Sequence, residues 1–140
     1  MRGFRVLVLA ALLSAFALPA KAGDVKDASY RTIAHISSDG VIKDAAYRTV
    51  GRFKSDGTVQ DASYRTVGYI KSSGTIQDSH YRTLGYVKDN GAVQDSSYRT
   101  IGYIKSDGTI QDASYHTIGH ASDLPRPWAA YYFFFSEALK

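Results

Sequence analysis

The sequence predicts an all-β protein in which tandem 17-residue β-hairpin repeats are arranged radially as a small, propeller-like ring. Three observations carry the prediction. Residues recur at one fixed spacing along most of the chain, a glycine marks a turn in every repeat, and apolar residues meet across that turn when the strands are paired. A fixed period of this kind is the signature of repeat architectures, whose units cannot bury their apolar surface alone.

Gly40, Gly57, Gly74, Gly91 and Gly108 recur every 17 residues, as do Asp27, Asp44, Asp61, Asp78, Asp95 and Asp112. Tyr30, Tyr47, Tyr64, Tyr81, Tyr98 and Tyr115 each follow an Asp by three residues. From Tyr64 to Lys71 aromatic and β-branched residues predominate, which predicts a strand that stops at Ser72-Ser73-Gly74. The residue before the glycine varies among Asp, Ser and Asn while the glycine does not, as expected where one turn position must take positive φ. A three-residue hairpin loop with a glycine bulge satisfies this pattern.

That loop sets a register. Placing Lys54 opposite Thr58 pairs Phe53 with Val59, Arg52 with Gln60 and Gly51 with Asp61, so apolar residues face each other. A slip of one residue would send Phe53 and Val59 to opposite faces. Alternation along the third unit then places Tyr64, Thr66, Gly68 and Ile70 on one face with Ile76 and Asp78. Arg65, Val67, Tyr69 and Lys71 share the other with Thr75 and Gln77. Neither face is wholly polar, and an isolated hairpin is marginal in water, so the units must stack or close.

Five complete hairpins start at Tyr30, Tyr47, Tyr64, Tyr81 and Tyr98. A short strand around Val25 precedes them and a long one from Tyr115 to His120 follows. These two are complementary halves of a further hairpin, and pairing them closes a ring with no free edge. The alternative is an open β-solenoid with two capped ends. The repeat domain thus runs over 23–123. Over 124–140, Leu124-Pro125-Arg126-Pro127 reads as a stiff extended connector, and Trp128 to Phe135 as a buried strand or plug over one end. The same aromatic run also suits peripheral membrane contact.

Residues 1–22 have the pattern of a secretory signal: Arg2 and Arg5, an apolar run from Val6 to Ala17, and small residues Ala20 and Ala22 before Gly23. The apolar run is shorter than the roughly 20 residues needed to span a bilayer. The expected location is therefore periplasm, cell surface or medium. Without Arg2, Arg5 and Lys21, the formal charge of +4 falls to 14 basic against 13 acidic residues, interleaved through the repeats. That balance removes the case for a nucleic-acid partner. With no cysteine in the chain, stability rests on packing and hydrogen-bonded ladders.

The recurring Y-R-T-I-G-Y-I-K-S-D-G-T-I-Q-D units, the signal pattern and the aromatic tail Trp128-Ala129-Ala130-Tyr131-Tyr132-Phe133-Phe134-Phe135 together resemble the bacterial five-fold β-flower proteins. The resemblance implies a radial fold of β-hairpins and carries no activity with it. His116 stands where other units have Arg, and the count leaves both five-fold and six-fold rings open.

No nucleophile elbow, phosphate loop or zinc-protease helix is present, so no catalytic residue and no cofactor are expected. The repeated Asp residues suit capping of turn amides; a ring of carboxylates for a cation such as calcium is the alternative. Arg65 with Tyr69, Arg82 with Tyr86 and Arg99 with Tyr103 form a candidate ligand face, where guanidinium stems covering rings would otherwise serve packing between units. His35, His116 and His120 break the repetition near the expected seam and are the candidate metal ligands there. The functional expectation is an exported, non-enzymatic structural or interaction module of the bacterial cell envelope, its partner an envelope protein or glycan. The alternative is a multivalent carbohydrate-binding protein using the Tyr/Arg face.

Overall fold

The computed structural model describes residues 23–139. The secretory signal read over residues 1–22 lies outside the described residues. Twelve antiparallel strands run β1 (Gly23–Asp27), β2 (Thr32–Ile36), β3 (Val41–Asp44), β4 (Thr49–Phe53), β5 (Thr58–Asp61), β6 (Thr66–Ile70), β7 (Thr75–Asp78), β8 (Thr83–Val87), β9 (Ala92–Asp95), β10 (Thr100–Ile104), β11 (Thr109–Asp112) and β12 (Thr117–His120). They form one closed up-and-down barrel in which β1 pairs with β12.

The sequence register holds residue for residue: Gly51 faces Asp61, Arg52 faces Gln60 and Phe53 faces Val59. In the loop the Gly57 amide donates to the Lys54 carbonyl at 3.0 Å, and Gly57 takes φ +94°. The seam repeats that register, with Gly119 opposite Asp27 and His120 opposite Lys26. The two terminal strands therefore make a sixth unit beside five continuous hairpins. Six-fold closure answers the question that the residue count leaves open, and no open solenoid forms.

The second turn of each unit departs from expectation. Tyr64 does not begin a strand: its amide donates to the Asp61 carbonyl at 3.1 Å and its φ is +67°. The same holds at Tyr115, so the last long strand starts only at Thr117. A tyrosine thus occupies the left-handed position that glycine fills at the opposite rim. The predicted faces also change. A bulge between β5 and β6 pairs Gln60 with Thr66 and Val59 with Gly68, so Thr66 lies on the outer face with Gln60 while Val67 packs against the core. The extra bulge residue resets the two-residue alternation.

The lumen wall is layered. Val25, Ile42, Val59, Ile76, Val93 and Ile110, one from each short strand, are 0% exposed. On the long strands Gly51, Gly68, Gly85, Gly102 and Gly119 share a single slot, filled by Ala34 in β2.

Of the two expected forms, strand or plug, the tail takes the second, and it does so as a helix inside the barrel. Helix α1 (Arg126–Ala130) continues into a π-helical segment, Tyr131–Phe135, and a 3-10 turn, Glu137–Leu139. Arg126 and Pro127 belong to the first turn of α1, not to an extended connector. Proline is tolerated there because its missing N–H would find no helical partner. Across Trp128–Phe135 no β-branched residue favours a strand.

The tail fills the barrel. A methyl on Gly68 would lie 2.6 Å from the Tyr131 hydroxyl, one on Gly85 2.7 Å from the Phe135 ring, and one on Gly51 2.6 Å from Leu139. Gly102 and Gly119 meet Phe134 and Phe133 in the same way. The remaining ring, Tyr132, is raised in pKa by burial and by the charge of Asp44, which pairs with Ala34. The π-helical segment therefore brings Tyr131, Phe133, Phe134 and Phe135 to four wall glycines, and the 3-10 turn brings Leu139 to the fifth. The wider winding of a π-helix helps to spread consecutive rings around the axis.

Candidate binding surface

With the lumen occupied, the repeated chemistry lies on the outer wall and at the rims. Each unit closes its tyrosine rim with one device. Asp95 Oδ1 accepts the amides of Ser97 and Arg99 at 2.9 and 3.0 Å, and its Oδ2 accepts Arg99 Nε at 3.0 Å. The same set recurs at Asp27, Asp44, Asp61 and Asp78, and at Asp112 with His116 in place of Arg. The amide of the residue four on, first among several causes, lowers the pKa of every one of these carboxyls. The aspartates cap turns, as their spacing suggests.

The rim tyrosines are 65–67% exposed despite their size. Each lies against a side chain from the outer wall of the preceding unit. Tyr81 stacks on Tyr69 and Tyr98 on Tyr86, with ring centroids 4.7 Å apart, and Tyr115 stacks on Tyr103 at 4.9 Å. In each of these pairs the hydroxyls also hydrogen-bond, at 3.1 to 3.2 Å. The other three places hold Arg52 over Tyr64 at 4.0 Å, His35 on Tyr47 at 4.1 Å and His120 on Tyr30 at 4.0 Å. Half of the belt is therefore phenolic, and half carries imidazole or guanidinium.

The candidate ligand face is thus assembled differently from the sequence reading. Tyr69 meets Tyr81 of the following unit, and Tyr86 and Tyr103 likewise meet Tyr98 and Tyr115. Arg65, Arg82 and Arg99 sit in the rim turns, each with Nε bound to its own Asp and its side chain 77–80% exposed. Two of the three stacked pairs carry the following unit's arginine at the next position in the chain, Arg82 after Tyr81 and Arg99 after Tyr98, while Tyr115 is followed by His116. Guanidinium packing over a ring occurs at Arg52 and Tyr64, a pair that the repeat pattern does not single out. The rim tyrosines themselves were missed as partners because their contacts cross from one unit to the next.

The three histidines are dispersed. His35 Nδ1 lies 2.8 Å from Asp24 Oδ1, and His116 Nδ1 lies 3.3 Å from Asp112 Oδ2. Strand β1 runs between β2, which bears His35, and β12, which bears His120. Among the described residues no group of three or more His, Cys, Asp or Glu side chains is placed to hold a metal. The seam brings the strands together in register but leaves β1 between His35 and His120, with His116 in a rim turn.

The turn glycines Gly40, Gly57, Gly74, Gly91 and Gly108 all take φ between +91° and +94°. A family model described as 5-fold beta-flower protein matches residues 22–137. The chain belongs to this family. In this β-flower the ring has six units, of which five are continuous hairpins and the sixth joins the terminal strands. Comparison with curated proteins and with solved structures found no match. Within the described residues of the β-flower, no helix is long and apolar enough to cross a membrane.

Proposed function

We propose that this β-flower is an exported, non-enzymatic interaction module of the bacterial cell envelope that meets its partner with its outer wall and rims. The observation that carries the reading is the filled lumen. Tyr131, Phe133, Phe134, Phe135 and Leu139 lie so close to the wall glycines that added methyl groups would collide with them. An internal ligand would have to displace the protein's own core. The outer surface, in contrast, presents an exposed rim tyrosine packed on a wall side chain six times, three of these places being Tyr on Tyr, and weak contacts repeated on a rigid frame gain avidity. Export rests on the pattern of residues 1–22.

Two measurements test the reading. Residues 1–22 fused to a phosphatase active only after export should yield activity outside the cytoplasm; a silent fusion that accumulates in the cytoplasm counts against export. The mature chain should capture a defined envelope component, and paired substitutions of Tyr69 and Tyr103 by Ala should abolish capture. Undiminished capture would move the contact away from the tyrosine belt.

A glycan partner is the second reading, favoured by the open faces of the rim tyrosines beside exposed arginines. Aromatic faces suit the apolar faces of sugars, and guanidinium groups suit their acidic substituents. Glycan-array binding lost in Tyr69→Ala and Tyr103→Ala would support it. A blank array with correctly folded protein would leave a protein partner as the better account.

A further inference from the structure

Among the five glycine turns of this mouth, two independent irregularities coincide at one. The last inward residues of the long strands are Ile36, Phe53, Ile70, Val87, Ile104 and Ala121. Five of them are buried, while Ile70 remains only partly covered. The tail enters off-centre over this mouth, with the Arg126 guanidinium donating to the Asp89 carbonyl. The turn next to Ile70, Ser72-Ser73-Gly74, is also the one glycine turn of the five without an acidic residue; its counterparts carry Asp39, Asp56, Asp89 or Asp107.

A cavity of about 460 Å³ opens at this place. Phe53, Ile70, Val87 and Trp128 supply its apolar lining, with the Phe53 and Trp128 rings stacked at 5.1 Å. Lys54, Lys71, Lys88 and Arg126 also line it, against Asp56 and Asp89. The Asp56 carboxylate is already bound to the Thr58 amide at 3.0 Å. Among the described residues none of these four cations lies within ion-pair distance of a carboxylate, although Lys54 acts on Asp56 through space. The volume is that of a small-molecule site, which combines an apolar body with a few polar groups that fix orientation.

We propose that the glycine-turn mouth binds a small organic anion with an apolar body, of the class of a medium-chain carboxylate. The hydrocarbon part would cover Ile70 and the exposed edge of Trp128, and the carboxylate would meet Lys71 and its neighbouring cations. Cationic amphiphiles meet the wrong charge at the four cations that line it. The site lies on the glycine-turn rim, away from the tyrosine rim, so this proposal stands apart from the outer-surface reading.

Trp128 is the chain's single tryptophan, so its emission reports on this cavity directly. The mature chain is titrated with decanoate below its micelle concentration, and with decyltrimethylammonium as the charge-reversed control, by Trp emission and by calorimetry. Saturable one-to-one binding of decanoate alone is expected. Lys71→Ala, an exposed position, should weaken it about fivefold, and added salt should weaken it further. Ile70→Ser should weaken it as well, whereas Tyr69→Ala should leave it unchanged. No calorimetric binding of decanoate, equal binding of the cation, or an unaltered affinity in Lys71→Ala would each overturn the proposal. Normal decanoate binding in a Tyr69→Ala chain that has lost its envelope partner would separate this site from the tyrosine belt.

Discussion

The hydroxyl of Tyr131 lies so close to the bare Cα of Gly68 that a methyl group there would sit 2.6 Å from it, with the Gln77 carbonyl at 2.8 Å. Burial pushes the Tyr131 phenol up to about 12, in keeping with its 2% exposure. The contact is one of several in which a wall glycine receives a side chain of the tail.

Gly68→Ala should therefore destabilise the protein by about 1–3 kcal/mol, as overpacking of a filled core does. In a Tyr131→Phe background, which removes the hydroxyl, the same substitution should cost less. The rescue should be partial, because the Gln77 carbonyl belongs to the strand and cannot swing aside. A double-mutant cycle by urea denaturation measures the coupling. Additive effects would mean that the hydroxyl and the glycine are not in contact.

At the opposite rim, Tyr98 combines a φ of +69° with a ring stacked on Tyr86. The left-handed conformation costs an L-residue roughly 1–2 kcal/mol, and stacking returns about 0.5–1.5 kcal/mol. Tyr98→Ala keeps the strain and loses the stack. Tyr98→Gly loses both. Glycine should consequently be the more stable replacement by about 1 kcal/mol, the reverse of its usual rank against alanine. Thermal unfolding of the two variants decides the order; a more stable alanine variant would show that the turn relaxes out of the left-handed region.

These two rims explain why one part of the fold is legible from the sequence and another is not. Phe53 opposite Val59 follows from glycine spacing, since only glycine advertises a positive φ. Tyr64 gives no such sign, because its conformation is sustained by the contact with Arg52 in the preceding unit. The available clue was positional: Tyr64 follows Asp61 by the same three residues that separate Gly57 from Lys54. The bulge at Val67 was hidden for the same reason, since it answers the pairing of β5 with β6 and not a local preference. The dispersal of His35 and His120 required knowing that β1 lies between their strands.

The capped turns set an acid limit on stability. All six rim aspartates have folded pKa values below their ordinary value, chiefly through the amide of the residue four on. A carboxyl with a depressed folded pKa stabilises the fold above its unfolded pKa, and loses that contribution as pH falls through the folded one. Stability should therefore be flat from neutral pH down to about pH 5 and decline below about pH 4. Asp95→Asn should keep the two amide contacts, lose the Arg99 ion pair, and make the decline shallower. Urea midpoints measured across pH provide the check; an unchanged acid slope in Asp95→Asn would assign the limit to other groups.

The tail also sets how many units the ring holds. The seam pairs Gly119 with Asp27 in the register that every hairpin uses, so strand pairing alone would accept a ring of any number of units. Deleting Thr83–Arg99 removes one whole repeat and leaves Arg82 followed by Thr100, with every turn motif intact. Barrel diameter grows with strand number, so ten strands enclose a narrower lumen. Phe135 would lose the slot at Gly85, and the remaining rings would be forced against a tighter wall. The shortened chain should lose cooperative unfolding and bind a hydrophobic dye, whereas a duplicate deletion that also removes residues 125–140 should bind no more dye than the first. If the shortened chain instead unfolds cooperatively near the midpoint of the full chain, the side chains of the tail do not select the six-unit ring, and closure belongs to the strands alone.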